Sequence, residues 1–303
     1  MSATTMTGDD RIVATHGLRK VYGGHVALDD VALAVPRAGV YGLVGPNGAG
    51  KTTLLSILLG TRRATAGTVE LSVDRSRITA VPDTPQFDPW LTGREVVDLS
   101  RNLIDPSLPE ERVAHALGDT GIADAADRRV GGYSRGMLQR VGLAAAIVAQ
   151  PELLILDEPA SALDPAGRRD VLDLVSDIGR EATVLFSSHI LADVQQVSDT
   201  VGILREGALL WQGPLEDLLV GRAAPAVEVR LRRNVDTAAD RLRREPWVTH
   251  AESVGAGRLR VTAASLEELE RHLVPVLARL DAPVVSLTPV RADLEHVFLE
   301  LTS

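Results

Sequence analysis

The stretch Gly45-Pro46-Asn47-Gly48-Ala49-Gly50-Lys51-Thr52-Thr53 constrains this chain more than any other. It follows the phosphate-binding pattern GxxxxGK[ST], and its flanks agree with that reading. Val40-Tyr41-Gly42-Leu43-Val44 before it is a short apolar run suited to a strand buried on both faces. Leu54, Leu55, Ile57 and Leu58 after it suit a helix, and the motif is informative only in a strand–turn–helix setting. The glycines let backbone N–H groups turn in on a phosphate with no Cβ in the way. The helix N-terminus adds about half a positive charge aimed at the same point. Lys51 is then expected to reach β- and γ-phosphates, and the Thr52 hydroxyl to hold Mg²⁺.

Composition bounds the rest. A chain of 303 residues suits one large domain plus a small one. With 45% hydrophobic residues it can bury a real core. No apolar run approaches the length of a membrane-spanning helix, so any transport role must use membrane segments on another chain. The opening MSATTMTGDD lacks the basic and apolar regions of a signal peptide, which predicts a cytoplasmic protein. The absence of cysteine excludes disulfides, thiolate metal sites and thiol nucleophiles. A net charge of −9 argues against a nucleic-acid partner. Lys20 and Lys51 are the only lysines, so a lysine inside the loop is unlikely to be chance.

Along the chain, residues 11–35 alternate in short apolar pieces that read as antiparallel strands turning at Gly23-Gly24. Tyr22, just before that turn, can stack on a base or pack on the sheet; spacing alone leaves both open. Residues 67–71 read as another strand. The three prolines between Val81 and Trp90 predict a loop. Thr92-Gly93-Arg94-Glu95 has capping-box spacing and opens a helix carrying Val96, Val97, Leu99 and Leu103. Further helices are expected from Pro109-Glu110-Glu111 and over about 134–149, so that about 90–150 is a helical insert.

The next sheet strand, Leu153-Leu154-Ile155-Leu156, ends in Asp157-Glu158. An apolar strand delivering a carboxylate at its end is how a phosphate-loop enzyme holds Mg²⁺. Asp157 would take the metal, directly or through water, and Glu158 would act as general base on the attacking water. The strand 183–188 ends at His189, which spacing alone does not promote to a catalytic role.

Together these stretches resemble the ATP-binding subunit of an ABC transporter. Tyr133-Ser134-Arg135-Gly136-Met137 is similar to that family's signature segment, in a YSxGM form. Ser161-Ala162-Leu163-Asp164 resembles the D-loop, Ser188-His189 the switch histidine, and Tyr22 the aromatic A-loop. The resemblance spans residues 11 to about 220. It implies a head-to-tail dimer, or a paired nucleotide-binding subunit, with two ATP molecules at the interface. Ser134 and Gly136 of one copy would close on the γ-phosphate held by Lys51 of the other. It implies ATP contacts along residues 45–53 and at Tyr22, Asp83, Ser134, Gly136 and Asp164, and a γ-phosphate contact for His189. Two of the departures from the family pattern, whose commoner signature is LSGGQ, matter for the site. Arg135 replaces a glycine, and the glutamine expected eight positions before Leu91 of Leu91-Thr92-Gly93-Arg94-Glu95 is Asp83, not Gln86. Asp83, an acceptor only, is expected on Mg²⁺ or its water.

After a linker at Gly221–Pro225 the pattern changes. A β-α-β-β-α-β order over 226–303 resembles a ferredoxin-like unit. Its second helix opens at Ser265, places Leu266, Leu269, Leu273, Leu277 and Leu280 on one face, and is expected to kink at Pro275. The arginines at 230, 232, 233, 241, 243 and 244 form either a docking patch or a solvated face. The close, Asp293-Leu294-Glu295-His296-Val297-Phe298-Leu299-Glu300-Leu301, resembles ATPases serving drug, sodium and antibiotic-resistance exporters with separate permeases. The predicted fold is therefore an α/β phosphate-loop ATPase domain over 11–220, with an antiparallel β subdomain and a helical insert, plus a small α+β domain. The implied function is ATP hydrolysis driving a separate transmembrane permease from the inner face of the cell membrane. A soluble non-transport ATPase of the same family, or a nucleotide-dependent scaffold, is the alternative.

Overall fold

The structure is a computed structural model that describes residues 10–161, 163–220, 225–280, 282–290 and 294–302. The chain divides into two units, Met1–Leu215 and Glu216–Ser303. In the first, β1 (Arg11–Tyr22) turns through Gly23-Gly24 into β2 (His25–Val31), followed by β3 (Ala34–Pro36). The apolar run Val31–Val35 is broken at Ala32-Leu33, between β2 and β3. Two side chains take up the backbone there: the Gln212 amide accepts from the Ala34 N–H (2.8 Å) and donates to the Ala32 carbonyl (2.7 Å), and the Thr15 hydroxyl accepts from the Leu33 N–H (2.8 Å) and donates to the Val31 carbonyl (2.9 Å). Next come β4 (Gly39–Val44), α1 (Lys51–Leu58) and β5 (Ala66–Leu71). β1 pairs antiparallel with β2, β3 and β5, forming a small sheet.

β6 (Ile78–Val81) is a parallel strand that the sequence did not announce, because its four residues read only as the lead-in to the proline-rich loop. The insert then holds α2 (Gly93–Ile104), α3 (Glu111–Asp119) and α4 (Arg135–Ile147). Thr92 and Glu95 close a full capping box on α2. Val96 and Val97 are buried, whereas Leu99 (50% exposed) and Leu103 (77%) face outward, contrary to a simple amphipathic reading of that helix. β7 (Leu153–Asp157), α5 (Pro165–Gly179), β8 (Thr183–Ser188), α6 (Leu191–Val197), β9 (Thr200–Arg205) and β10 (Ala208–Pro214) complete the main sheet. Its order is β10-β9-β4-β8-β7-β6, parallel except for β10. One apolar core, including Ile12, Leu28, Leu43, Leu54, Ile155 and Leu185, lies among the small sheet, α1 and the main sheet; Val97, Leu117, Val141 and Ala144 belong to a separate core in the insert.

The second unit begins within α7 (Leu215–Val220). It continues with β11 (Ala226–Leu231), α8 (Val235–Leu242), β12 (Val248–Ser253), β13 (Arg258–Ala263), α9 (Leu266–Arg279), β14 (Val284–Val290) and α10 (Leu294–Thr302). The sheet is antiparallel in the order β12-β13-β11-β14, the ferredoxin-like arrangement. Leu269, Leu273 and Leu277 are buried on α9, while Leu266 is half exposed. α9 runs on through Pro275 as one element. Arg241 pairs with Glu245 and Arg243 with Asp240, so these two arginines are offset by carboxylates of their own helix and its end. Most of the expected linker (221–224), and Asp293 of the closing motif, lie outside the described residues.

Candidate active site

β4, β8 and β7 lie side by side, with Val44 opposite Ser188 and Asp157 opposite Ser187. Their C-terminal ends bring the loop 45–50, His189 and Asp157-Glu158 to one edge of the sheet, where ligands of open parallel sheets bind. Gly50 caps α1 with φ 106°, and a Cβ there would stand 2.6 Å from the Ala27 carbonyl oxygen. Gly48, at φ 83°, has open space beside it and is needed for the left-handed turn itself. Pro46, Asn47, Gly48 and Thr52 are exposed, Thr53 is half-buried and Ala49 is packed into the core.

Lys51 is 6% exposed and folds back on its own loop, donating to the carbonyls of Gly45 (2.7 Å) and Pro46 (3.3 Å). Its ammonium lies 3.1 Å from Glu158 Oε1. The other Glu158 oxygen is 2.8 Å from His189 Nδ1 and also accepts the His189 backbone N–H at 3.3 Å. A buried ammonium is tolerated because it is paired, and this carboxylate provides the pair. Glu158 itself sits at φ 49°, a left-handed conformation that a non-glycine residue adopts only when its surroundings enforce it.

Ser187 supplies part of that enforcement. Its hydroxyl donates to Asp157 Oδ1 (2.6 Å) and accepts the Glu158 N–H (3.0 Å), tying both carboxylate residues to β8. Sequence reasoning assigned Ser187 nothing beyond its strand. It also missed Arg168 on α5 and Asp193 on α6, whose guanidinium and carboxylate meet at 2.6 Å. Burial pushes the Asp193 carboxyl above the ordinary aspartate range, and Arg168 opposes that shift. The pair fastens the helix after the D-loop to the helix after His189.

The remaining expected residues stand in other settings. Ser134 is the N-cap of α4, its hydroxyl accepting the Met137 N–H at 3.3 Å. A Cβ on Gly136 would come within 3.1 Å of Leu163, so the signature turn lies against the D-loop of its own chain. Asp164 is the N-cap of α5, its carboxylate accepting the Gly167 N–H at 2.7 Å. Tyr22 accepts from Arg62 (3.1 Å), and Lys20 lies 4.7 Å over its ring. Asp83, expected on the metal, is engaged with Ser161 at 2.8 Å and lies 3.8 Å from Arg135.

This fold and loop define a phosphate-loop nucleoside triphosphatase. The family profile described as ABC transporter matches residues 28–161. The uncharacterized ABC transporter ATP-binding protein YxlF of Bacillus subtilis is 34% identical over 301 residues, spanning 96% of this chain and 99% of that protein. The daunorubicin/doxorubicin resistance ATP-binding protein DrrA of Streptomyces peucetius is 33% identical, spanning 98% and 94%. Among solved structures, cbiO1 of Clostridium perfringens, part of the ABC transporter complex cbiONQ, is 28% identical with a TM-score of 0.61, over 70% of this chain and 91% of that one. The chain belongs to the ABC transporter ATP-binding family. It is a nucleotide-binding ATPase subunit, related to subunits of drug-resistance systems. Among the described residues no helix is long and apolar enough to cross a membrane.

Proposed function

We propose that this subunit works as a head-to-tail pair beneath a separate membrane permease, on the cytoplasmic face, and that Glu158 is its catalytic base. The observation that carries this reading is Glu158 held between Lys51 and His189. The triphosphate brings more negative charge to the loop amides than one carboxylate does, and so draws Lys51 onto its β- and γ-phosphates. Glu158 is released from the ion pair as that happens. It then takes a proton from a water attacking the γ-phosphorus in line, while the bond to the β–γ bridging oxygen breaks and ADP leaves. His189, hydrogen-bonded to Glu158, positions the carboxylate and is placed to register the loss of the γ-phosphate.

The donor set suits Mg²⁺, which binds proteins through one or two oxygen ligands and keeps phosphates and waters for the rest. Among the described residues no group of three or more His, Asp or Glu side chains forms a metal cage, while Thr52 offers an exposed hydroxyl and Asp157 a carboxylate. When bound there, the ion neutralises charge on the transferring phosphoryl group. Ser134 would meet the partner's γ-phosphate with a hydroxyl and a helix N-terminus.

A groove of about 300 Å³ lies between the loop 82–87, α2 and α4, with Ser100, Ile104 and Gly142 in its lining. Leu99 and Leu103, large apolar side chains exposed on α2, support the outer surface of the insert as the permease contact.

The test is Glu158→Gln. An amide keeps the shape, removes the base and spares the bound triphosphate. We expect Mg·ATP binding close to wild type, turnover reduced at least about a hundredfold, and an ATP-dependent dimer in light scattering with the co-purified permease. A variant that still turns over as a monomer rejects both the base and the dimer.

A further inference from the structure

Two positions where the chain leaves its family's pattern are neighbours in space. Asp83 stands where a glutamine is expected and Arg135 where a glycine is expected, more than fifty residues apart in the chain. We propose that Asp83 and Arg135 are a matched pair of positioning residues that aims Ser134 and Gly136, with Ser161 as their link to the turn carrying Glu158. On this proposal Asp83 acts through the insert and not on the metal.

The contacts are specific. Asp83 Oδ1 accepts from the Ser161 hydroxyl at 2.8 Å, and Asp83 Oδ2 lies 3.8 Å from the Arg135 guanidinium. Arg135 also donates to Thr84 Oγ1 at 3.3 Å. The Ser161 backbone N–H in turn bonds the Glu158 carbonyl at 3.2 Å. An unbroken route therefore runs from the catalytic carboxylate's own peptide, through the D-loop serine and Asp83, to the first residue of α4.

Electrostatics explains why both changes are needed together. Arg135 is the first residue of α4, at the positive end of that helix, where a cation is disfavoured. A carboxylate beside it removes the penalty; a glutamine would not. Both side chains are about half exposed, so the pair contributes little to stability. Its effect is on aim: a displacement of about 1 Å in a positioning group is enough to cost two orders of magnitude in rate. The consequence for Ser134 rests on the dimer reading above; the pairing itself does not.

The experiment is a double-mutant cycle on the full chain, with ATP turnover and Mg²⁺ titration read together. We expect Asp83→Ala and Arg135→Ala each to lower kcat about tenfold with KM for ATP within about twofold, and the double variant to fall no further, because coupled residues are not additive. Arg135→Lys keeps the charge and is expected within about threefold of wild type. The Mg²⁺ concentration for half-maximal activity stays unchanged throughout. Hydrogen exchange across 134–141, followed in the nucleotide-free chain, is expected to rise equally in both single variants, which reads the pair even if no dimer forms. Additive losses in the cycle overturn the proposal. So does an Asp83→Ala defect cured by extra Mg²⁺ while Arg135→Ala behaves as wild type, which would put Asp83 on the metal.

Discussion

Ser187 shows what a single hydroxyl can decide at the residue scale. It spans Asp157 Oδ1 and the Glu158 N–H, and it does so because β7 and β8 pair in parallel with Asp157 opposite Ser187. Replacing it with alanine leaves a backbone donor and a carboxylate oxygen to find other partners, at roughly 1–3 kcal/mol. The strained φ of Glu158 then loses one of its restraints. We expect Ser187→Ala to lower kcat more than it raises KM for ATP, because the phosphate loop is untouched. Steady-state kinetics check this, and a pure KM effect would assign Ser187 to binding. Lys51, Asp157 and Glu158 were legible in the sequence because each belongs to a contiguous motif with a fixed local geometry. Ser187 was not, because its role arises from strand pairing across thirty residues. Arg168 and Asp193 were hidden for the same reason, although Asp164-Pro165 did carry an N-cap and first-turn signal for α5.

At the scale of elements, α2 separates what local sequence specifies from what tertiary context decides. Its start was legible: Thr92 accepts from Glu95 N–H, and Glu95 accepts from the Thr92 N–H at 2.8 Å. The Thr92 backbone N–H, and then its hydroxyl, hold the Glu95 carboxyl below the usual glutamate range. The unfolded chain therefore binds that proton at higher pH than the folded chain does. The carboxylate half of the box contributes fully above the ordinary glutamate value and is lost as pH falls through the lowered one, while the bond from the Glu95 N–H to the Thr92 hydroxyl does not titrate. Thr92→Ala is expected to cost about 1 kcal/mol at neutral pH, while Glu95→Ala, which removes the titrating acceptor, is expected to flatten the acid side of the stability profile, as read by thermal melts across pH. An unchanged acid slope would show that the carboxylate half of the box adds nothing to the folded state. The outward face of Leu99 and Leu103 was not legible, because period counts apolar positions without knowing which neighbour covers them. β6 was lost for a related reason, since four residues at a sheet edge carry too little pattern to distinguish a strand from a loop.

At the scale of the whole chain, the two units draw on different apolar cores. The first gathers residues such as Ile12, Leu54 and Ile155; the second gathers Val229, Ala239, Leu259 and Leu273 from its own strands and helices. Alternation along β11 and β13 and the leucine spacing of α9 made the second unit readable as β-α-β-β-α-β, and its strand order follows from antiparallel pairing of β11 with both β13 and β14. Lys51, Asp157, Glu158, Ser187 and His189 all precede Leu215. A chain ending near Val220 should therefore keep its ATPase fold, since the residues of the core around Ile12, Leu54 and Ile155, those of the insert's core and the catalytic groups all precede the cut. We expect its melting temperature to stay within about 4–8 °C of the corresponding transition in the full chain, the shift that about 1 kcal/mol produces in a small domain and an upper bound for a larger one. Basal ATP turnover should remain within severalfold of wild type, while permease-stimulated turnover falls further. The comparison needs both chains reconstituted with the same permease and assayed with and without it. Loss of basal turnover together with cooperative melting would make the second unit part of the core that shapes the phosphate loop. Equal losses of basal and stimulated turnover would remove any separate part for it in coupling.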